Sequence, residues 1–224
     1  MSIGAHTTRL TEPLVTGWES MYRLIRQVGL LPFFENPIPG FSLEEHTDAE
    51  HWFTDESLGP WDWKIDCLQT GDIVYGKYLW GGKAAFSTPS VYRELMNYRR
   101  SLPKYAPSAQ LQPILDFLAE NGAISITEVR RLMGVKKSAA DAMMTRLQMG
   151  TRVVTGDITR VYRGSDLHYN GWQRSSFCAP DDLYDDMRSS RSPQESYAWL
   201  CDLVRRVAGD VPDKLLLKLL GEVK

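Results

Sequence analysis

Cysteine is scarce in this sequence, and the three that occur, Cys67, Cys178 and Cys201, lie far apart with no Cys-x-x-Cys pair among them. An odd, widely spaced set excludes a disulfide framework and a thiolate zinc site, and predicts reduced, mostly buried thiols. Histidine is nearly as rare. His46 and His51 are five positions apart and do not share a helical face, while His6 and His168 have no ligand-rich neighbours, so neither a metal site nor a cofactor is expected. No apolar run approaches the roughly 18 residues that a membrane helix requires. The start, Met1-Ser2-Ile3-Gly4-Ala5-His6, lacks the basic-then-apolar plan of a secretory signal, and a cytoplasmic location without a membrane partner is expected. Also missing are a glycine-rich phosphate loop, a Gly-x-Ser-x-Gly elbow and a cysteine with an evident histidine partner, which removes the commonest nucleotide-hydrolysing and acyl-transfer designs.

What is present suits an ordinary folded chain. The 224 residues are 43% hydrophobic and 24% charged, enough for one large domain or two of common size. The net charge of −2 conceals segregation along the sequence. Between Glu35 and Asp72 ten acids face the single Lys64, a balance of −9, whereas Ile73 to Gln110 carries +5. Val129 to Arg163 holds eight bases and two acids, a balance of +6 and the strongest basic patch in the sequence.

That basic patch falls on a recognisable order of elements. Leu111, Ile114, Leu115 and Leu118 recur at helical spacing and stop at Asn121-Gly122. Ser125-Ile126-Thr127-Glu128 is a capping box that starts a short helix through Val129, Leu132 and Met133, ended by Gly134. A third helix is predicted from about Ser138 to Gln148. After it, 151–155 and 158–162 alternate like two strands about a turn at Gly156-Asp157. Helix, helix, helix and hairpin in this order predict a winged helix-turn-helix, whose third helix is narrow enough for the major groove and whose cations displace phosphate counterions. The residues expected to touch nucleic acid are Arg130, Arg131, Lys136, Lys137, Ser138, Thr145 and Arg146, with Arg152 and Arg160 on the wing. No catalytic residue is assigned. Charged helix surfaces are often merely solvated, and winged helices also bind proteins, so a protein-binding scaffold stays open as an alternative to double-stranded DNA.

The first half repeats the plan less clearly. Leu68-Gln69-Thr70-Gly71 precedes Leu147-Gln148-Met149-Gly150 by 79 positions, as two diverged copies of one module would. A helix is predicted from Trp18 to Val28, ending at Gly29. The stretch Asn36-Pro37-Ile38-Pro39-Gly40 is too proline-rich for regular structure. Short helices are expected at 48–53 and 61–69, then a hairpin, 73–80 and 83–86, about a two-residue Gly81-Gly82 turn. Asp62 and Asp66, beside Asp55 and Glu56, would repel phosphate. Trp52, Trp61 and Trp63 are read as core or interface residues, whereas Tyr75, Tyr78 or Trp80 could offer a base-stacking ring. Glu44, Glu45 and Asp62 are the acids available as general bases.

Beyond Gly164, residues 172–177 read as a third strand or loop, followed by the acidic run 181–186 and a polar linker at 188–193. Tyr197, Leu200, Leu203, Val204 and Val207 then form an apolar stripe on a helix, and 213–223 a final leucine-rich helix that either packs on the body or makes a homodimer. The expected fold is therefore α+β and mostly helical, with tandem winged helix-turn-helix modules at 1–105 and 106–185 and a C-terminal helical segment at 186–224.

Several strings, Gly29-Leu30-Leu31-Pro32-Phe33-Phe34, Ile38-Pro39-Gly40-Phe41-Ser42, Gly59-Pro60-Trp61-Asp62-Trp63-Lys64, Tyr75-Gly76-Lys77, Asn97-Tyr98-Arg99-Arg100 and Thr145-Arg146-Leu147-Gln148-Met149, resemble the bacterial AlkZ-related family across most of residues 20–185. The resemblance leads on to the AlkZ DNA glycosylases, tandem winged-helix proteins that excise alkylated bases and unhook crosslinks. It thus implies a link to DNA repair and a DNA glycosylase as an alternative to a non-catalytic DNA-binding protein. Those glycosylases carry a Gln-x-Gln pair after their first helix. The comparable stretch here, Val28-Gly29-Leu30-Leu31-Pro32, has none, and Gln110-Leu111-Gln112 matches only literally, ahead of a different helix.

Overall fold

The computed structural model describes residues 15–54 and 57–221, so Asp55 and Glu56, and the end of the last predicted helix at 222–223, lie outside the described residues. The first helix, α1 (Trp18–Val28), buries Met21, Leu24, Ile25 and Val28 and stops where Gly29 turns left-handed at φ 78°, a conformation that costs glycine little. Strand β1 (Leu30–Pro32) follows. The predicted helix at 48–53 is a single 3₁₀ turn over Ala49–His51, and α2 (Pro60–Gln69) opens with proline, whose missing N–H costs nothing in a first turn. Strands β2 (Val74–Leu79) and β3 (Lys83–Ser87) form the expected hairpin. Its turn has three residues rather than two: Leu79 pairs with Lys83, and Trp80, Gly81 and Gly82 all hold positive φ.

Helix α3 (Pro89–Arg100) was not expected. Val91, Tyr92, Leu95 and Met96 have helical spacing, but Glu94 and Arg99 are buried beside them, and charges on the inner face blur the amphipathic signal. The second half matches the predicted helices closely: α4 (Gln112–Asn121), α5 (Ile126–Met133) and α6 (Lys137–Met149), with strand β4 (Ala123–Ser125) between the first two. At the start of α5 the Ser125 hydroxyl accepts from the Glu128 N–H at 3.3 Å, and the Glu128 carboxylate accepts from the Ser125 N–H at 2.7 Å. Ser125→Ala should lower stability by about 1 kcal/mol, read from the midpoint of urea unfolding; an unchanged midpoint would mean the box is ornamental.

The hairpin after α6 corrects the sequence reading. Instead of turning at Gly156-Asp157, the chain continues as one long strand, β5 (Val154–Arg163), and returns as β6 (His168–Cys178). Gly156 marks a bulge, where the register shifts between Thr155 and Asp157. A β-carbon there would come within 2.9 Å of Cys178 Sγ, so the glycine marks a tight approach within the sheet rather than a reversal. The reversal occurs at Gly164–Leu167, where Gly164 and Leu167 both have positive φ.

The two sheets have the same order, β1-β3-β2 and β4-β6-β5, and every pairing is antiparallel. After α7 (Pro180–Leu183), α8 (Pro193–Ala208) packs on α3, and α9 (Asp213–Leu220) packs on α8. Leu216, Leu219 and Leu220 are fully buried in the same cluster as Tyr92, Leu95, Leu200 and Val204, which gives the leucine-rich helix an intramolecular partner. Glu94 fastens this layer, accepting from Ser189 Oγ at 2.7 Å and Ser196 Oγ at 2.6 Å while Arg191 stands at 3.1 Å. The architecture is thus α+β, with two small antiparallel sheets, and among the described residues no helix is long and apolar enough to cross a membrane.

Candidate nucleic-acid interface

The corner between α5 and α6 presents cations because of how its helices end. Gly134 at φ 65° caps α5, with its N–H bonded to the Arg130 carbonyl, and two residues later Lys136 takes the N-cap position of α6 without a side-chain cap bond. The free N–H groups of the first turn of α6 therefore lie beside Lys136, Lys137 and Ser138, where an anion is favoured. Arg130, Arg131, Lys136, Lys137, Ser138 and Arg146 are all exposed. Of these, Lys137 pairs with Asp141 at 2.7 Å, a solvated helix pair that phosphate can replace at little cost.

The opposite face of α6 buries Ala140, Met144, Leu147 and Gln148. Gln148 Oε1 accepts from the Lys77 N–H on β2 at 2.8 Å, and a β-carbon on Gly82 would lie 2.5 Å from Thr145 Cγ2. Thr145 is thereby turned toward the first hairpin instead of outward. Arg152 is half-buried, and its Nε is buried without a hydrogen-bond partner.

Arg160 meets the acidic half directly. Its guanidinium donates to Asp62 at 3.0 Å and to Asp66 at 2.8 Å, and Tyr169 donates to Asp62 at 2.7 Å. The hydrogen bonds from Asp62 and Asp66 raise its pKa although burial opposes them. Charge segregation along the chain thus becomes a contact between α2 and β5: the acids that would repel phosphate are paired with the hairpin. Beside them Lys64 is buried, donating to the Trp61 carbonyl and to Gln173 Oε1 at 2.6 Å, with its ammonium 3.7 Å from the centre of the Trp61 ring. Burial pushes its pKa down to about 7, a fall that Asp62 opposes and Arg160 deepens.

Sequence reasoning missed the tip of the β5–β6 hairpin, where Tyr162, Leu167 and Trp172 are exposed and Arg163 lies over the Trp172 ring at 4.7 Å. Placing the turn at Gly156 hid it; the unbroken alternation past Tyr162 was the available signal. Other assignments resolve inward. Tyr78 is fully buried, Tyr75 packs on Phe86 at 4.9 Å, and Trp80 is half-buried against the core, so none of the three offers a free stacking face. Trp52 packs edge-on to Phe33 at 5.9 Å, and Trp61 donates to the Gly171 carbonyl at 3.3 Å.

Glu44 and Glu45 hold the backbone of the proline-rich loop, accepting from the N–H groups of Glu35 at 2.8 Å and Gly40 at 2.7 Å. With Asp62 paired to Arg160, each of the three acids named as general bases has an internal partner. Leu30 and Leu31 of β1 are fully buried, and Gln112 donates to Asp116 at 2.8 Å on its own helix.

Comparison with family models matches the AlkZ-related family over residues 15–221. No curated protein matches the sequence. Among solved structures, the Streptomyces sahachiroi DNA glycosylase AlkZ is similar at 14% identity with a TM-score of 0.36, over 70% of this chain and 49% of that one, so the chain spans about half the length of that protein.

Proposed function

This chain belongs to the AlkZ-related family, and from that membership and its surface we propose that it binds double-stranded DNA through the α5–α6 corner. The observation that carries the reading is the row of exposed cations, Arg130, Arg131, Lys136 and Lys137, around the uncapped start of α6, with Arg146 exposed in its last turn, in a chain of net charge −2. A near-neutral protein has no general attraction to phosphate, so a local cluster must supply it.

Residues 112–178 are read as a winged helix-turn-helix with α6 as the recognition helix and β5–β6 as the wing. The first module is read as its diverged copy, because each has a helix before its first strand, a helix before its second, and a first-third-second sheet order. The exposed ring of Trp172 at the wing tip, with Arg163 over it, supports contact with a groove or an unstacked base. Arg160 contributes indirectly by holding the wing on α2.

Lys136→Glu combined with Lys137→Glu should weaken duplex binding about tenfold and flatten the dependence of log affinity on log salt by roughly two, measured by fluorescence anisotropy across a salt titration. Unchanged affinity would remove this corner from the interface, and no salt-dependent binding by the unaltered protein would favour the protein-binding scaffold. A DNA glycosylase is the second reading, favoured by the family's description as related to AlkZ; release of alkylated bases from damaged duplex separates it from a non-catalytic DNA-binding protein.

A further inference from the structure

Each helix that precedes a hairpin packs on the other half's hairpin: α6 meets β2, and α2 meets β5. The first contact is uncharged, with Gln148 Oε1 accepting from the Lys77 N–H and Thr145 lying against Gly82. The second is ionic. Asp62 holds Arg160 by two parallel bonds, Nε to Oδ1 and Nη2 to Oδ2 at 3.0 Å each, and Asp66 accepts a third from Nη2 at 2.8 Å. A bidentate carboxylate engages guanidinium by the same fork that phosphate would use.

This contact bears on the outer half of the β5–β6 hairpin. Strand β4 pairs with β6 only at Ser176, Phe177 and Cys178, so farther out the hairpin is a two-stranded ribbon, a form with little stability of its own. None of the described residues from Thr159 to Ser176 is buried. The ribbon meets α2 chiefly through polar bonds: those of Arg160, that of Tyr169 to Asp62, and that of Gln173 to the Trp61 carbonyl at 3.1 Å. The side chains of Arg160, Asp62 and Asp66 are 23%, 23% and 30% exposed, so salt and phosphate can compete for the ion pairs. The hairpin's other arginines, Arg163 and Arg174, are exposed to water; Arg160 alone is turned inward onto acids.

We propose that this contact is autoinhibitory: Asp62 and Asp66 stand in for phosphate on Arg160 and hold the hairpin on α2 in the free protein until a phosphodiester backbone takes their place. The inference rests on the duplex reading for its ligand and adds a control on that binding.

Hydrogen exchange read by mass spectrometry tests the latch without DNA. Raising sodium chloride from about 0.05 M to about 0.5 M should speed exchange in peptides from 159–175 about tenfold and leave those of β2–β3 unchanged. In the Asp62→Asn, Asp66→Asn protein the same peptides should exchange fast at both concentrations. Circular dichroism and the melting temperature check that the variants fold, and the native salt series needs no variant. Salt-independent exchange in the native protein overturns the proposal even where duplex binding is intact.

Duplex affinity supplies the second arm. Arg160→Gln should weaken binding less than about threefold in the native protein but about tenfold in the Asp62→Asn, Asp66→Asn background, where the guanidinium is free for phosphate. Removal of two negative charges by itself would strengthen binding without altering the cost of Arg160→Gln, so an equal cost in both backgrounds overturns the proposal. Duplex binding by the doubly substituted protein alone would support it. Binding by neither protein, with salt-responsive exchange, would end the duplex reading and the inhibitory role with it.

Discussion

Replacing Arg99 with methionine is expected to cost roughly 4 kcal/mol or more and to lower the melting temperature by about 10 °C. Arg99 is fully buried and has no carboxylate among its hydrogen-bond partners; its guanidinium donates to backbone carbonyls of three separate elements. Nε reaches Leu220 O at 2.6 Å, Nη2 reaches Leu219 O at 3.1 Å, and Nη1 donates to Met149 O at 3.2 Å and to Tyr78 O. The first two acceptors lie in the last turn of α9, the third at the end of α6, and the fourth on β2. Helix ends leave carbonyls without intrahelical partners and carry partial negative charge, so one fixed cation satisfies what water would otherwise have to enter the core to reach.

Methionine preserves much of the volume and isolates the loss of donors. Arg99→Lys should also be destabilising, because a single ammonium with three donors cannot reproduce the guanidinium fork. Thermal and urea unfolding read both, and a melting temperature within 2 °C of the native value for the methionine variant would show that the carbonyls find other partners. A loss of this size is a large fraction of ordinary domain stability, about 5–15 kcal/mol.

Stability should also rise by about 1 kcal/mol between pH 7 and pH 8, and Lys64→Met should abolish that rise. Lys64 is almost fully buried, and its pKa falls from an ordinary 10.5 to about 7. Below pH 7 the folded protein must carry a desolvated ammonium, so the favourable contribution is absent there. As pH climbs from 7 toward 10.5 the unfolded chain holds the proton and the folded chain does not, which favours folding by up to 1.36 kcal/mol per pH unit. The window closes above about 8, where unfolded thiols begin to ionise. Burial pushes the thiols of Cys67 and Cys178 up to about 12 and about 11, and groups raised on folding lose stability as the unfolded thiol ionises. Urea midpoints at pH 7, 8 and 9 measure the slope; an equal slope in Lys64→Met would assign the titration to another group.

Much of this protein was legible in local sequence because much of it is built from local rules. The capping box at Ser125 and Glu128, the left-handed stops at Gly29 and Gly134, and the apolar spacing of α4, α6 and α8 each depend on residues within about four positions of one another. The exposed cations at the α5–α6 corner were readable for the same reason: they follow from where one helix ends and the next begins. The basic patch nevertheless divided in three dimensions. Arg130, Arg131, Lys136, Lys137 and Arg146 face water, whereas Thr145 faces the first hairpin, Arg152 sinks into a cavity and Arg160 meets Asp62 and Asp66 about 95 residues away in sequence.

The sequence alone determined most of the helices, though not α3 or α7, together with the two-hairpin plan and the segregation of charge, because hydrogen bonds and apolar periodicity over a few residues suffice for each. Tertiary structure alone decided that Gly156 is a bulge and not a turn, that α3 is a helix with charges on its inner face, and that Arg99, Lys64 and Arg160 are interior connectors. Those outcomes depend on partners from distant segments: a buried charge or a strained glycine is tolerated only where another part of the chain supplies the acceptor, the counter-charge or the close approach.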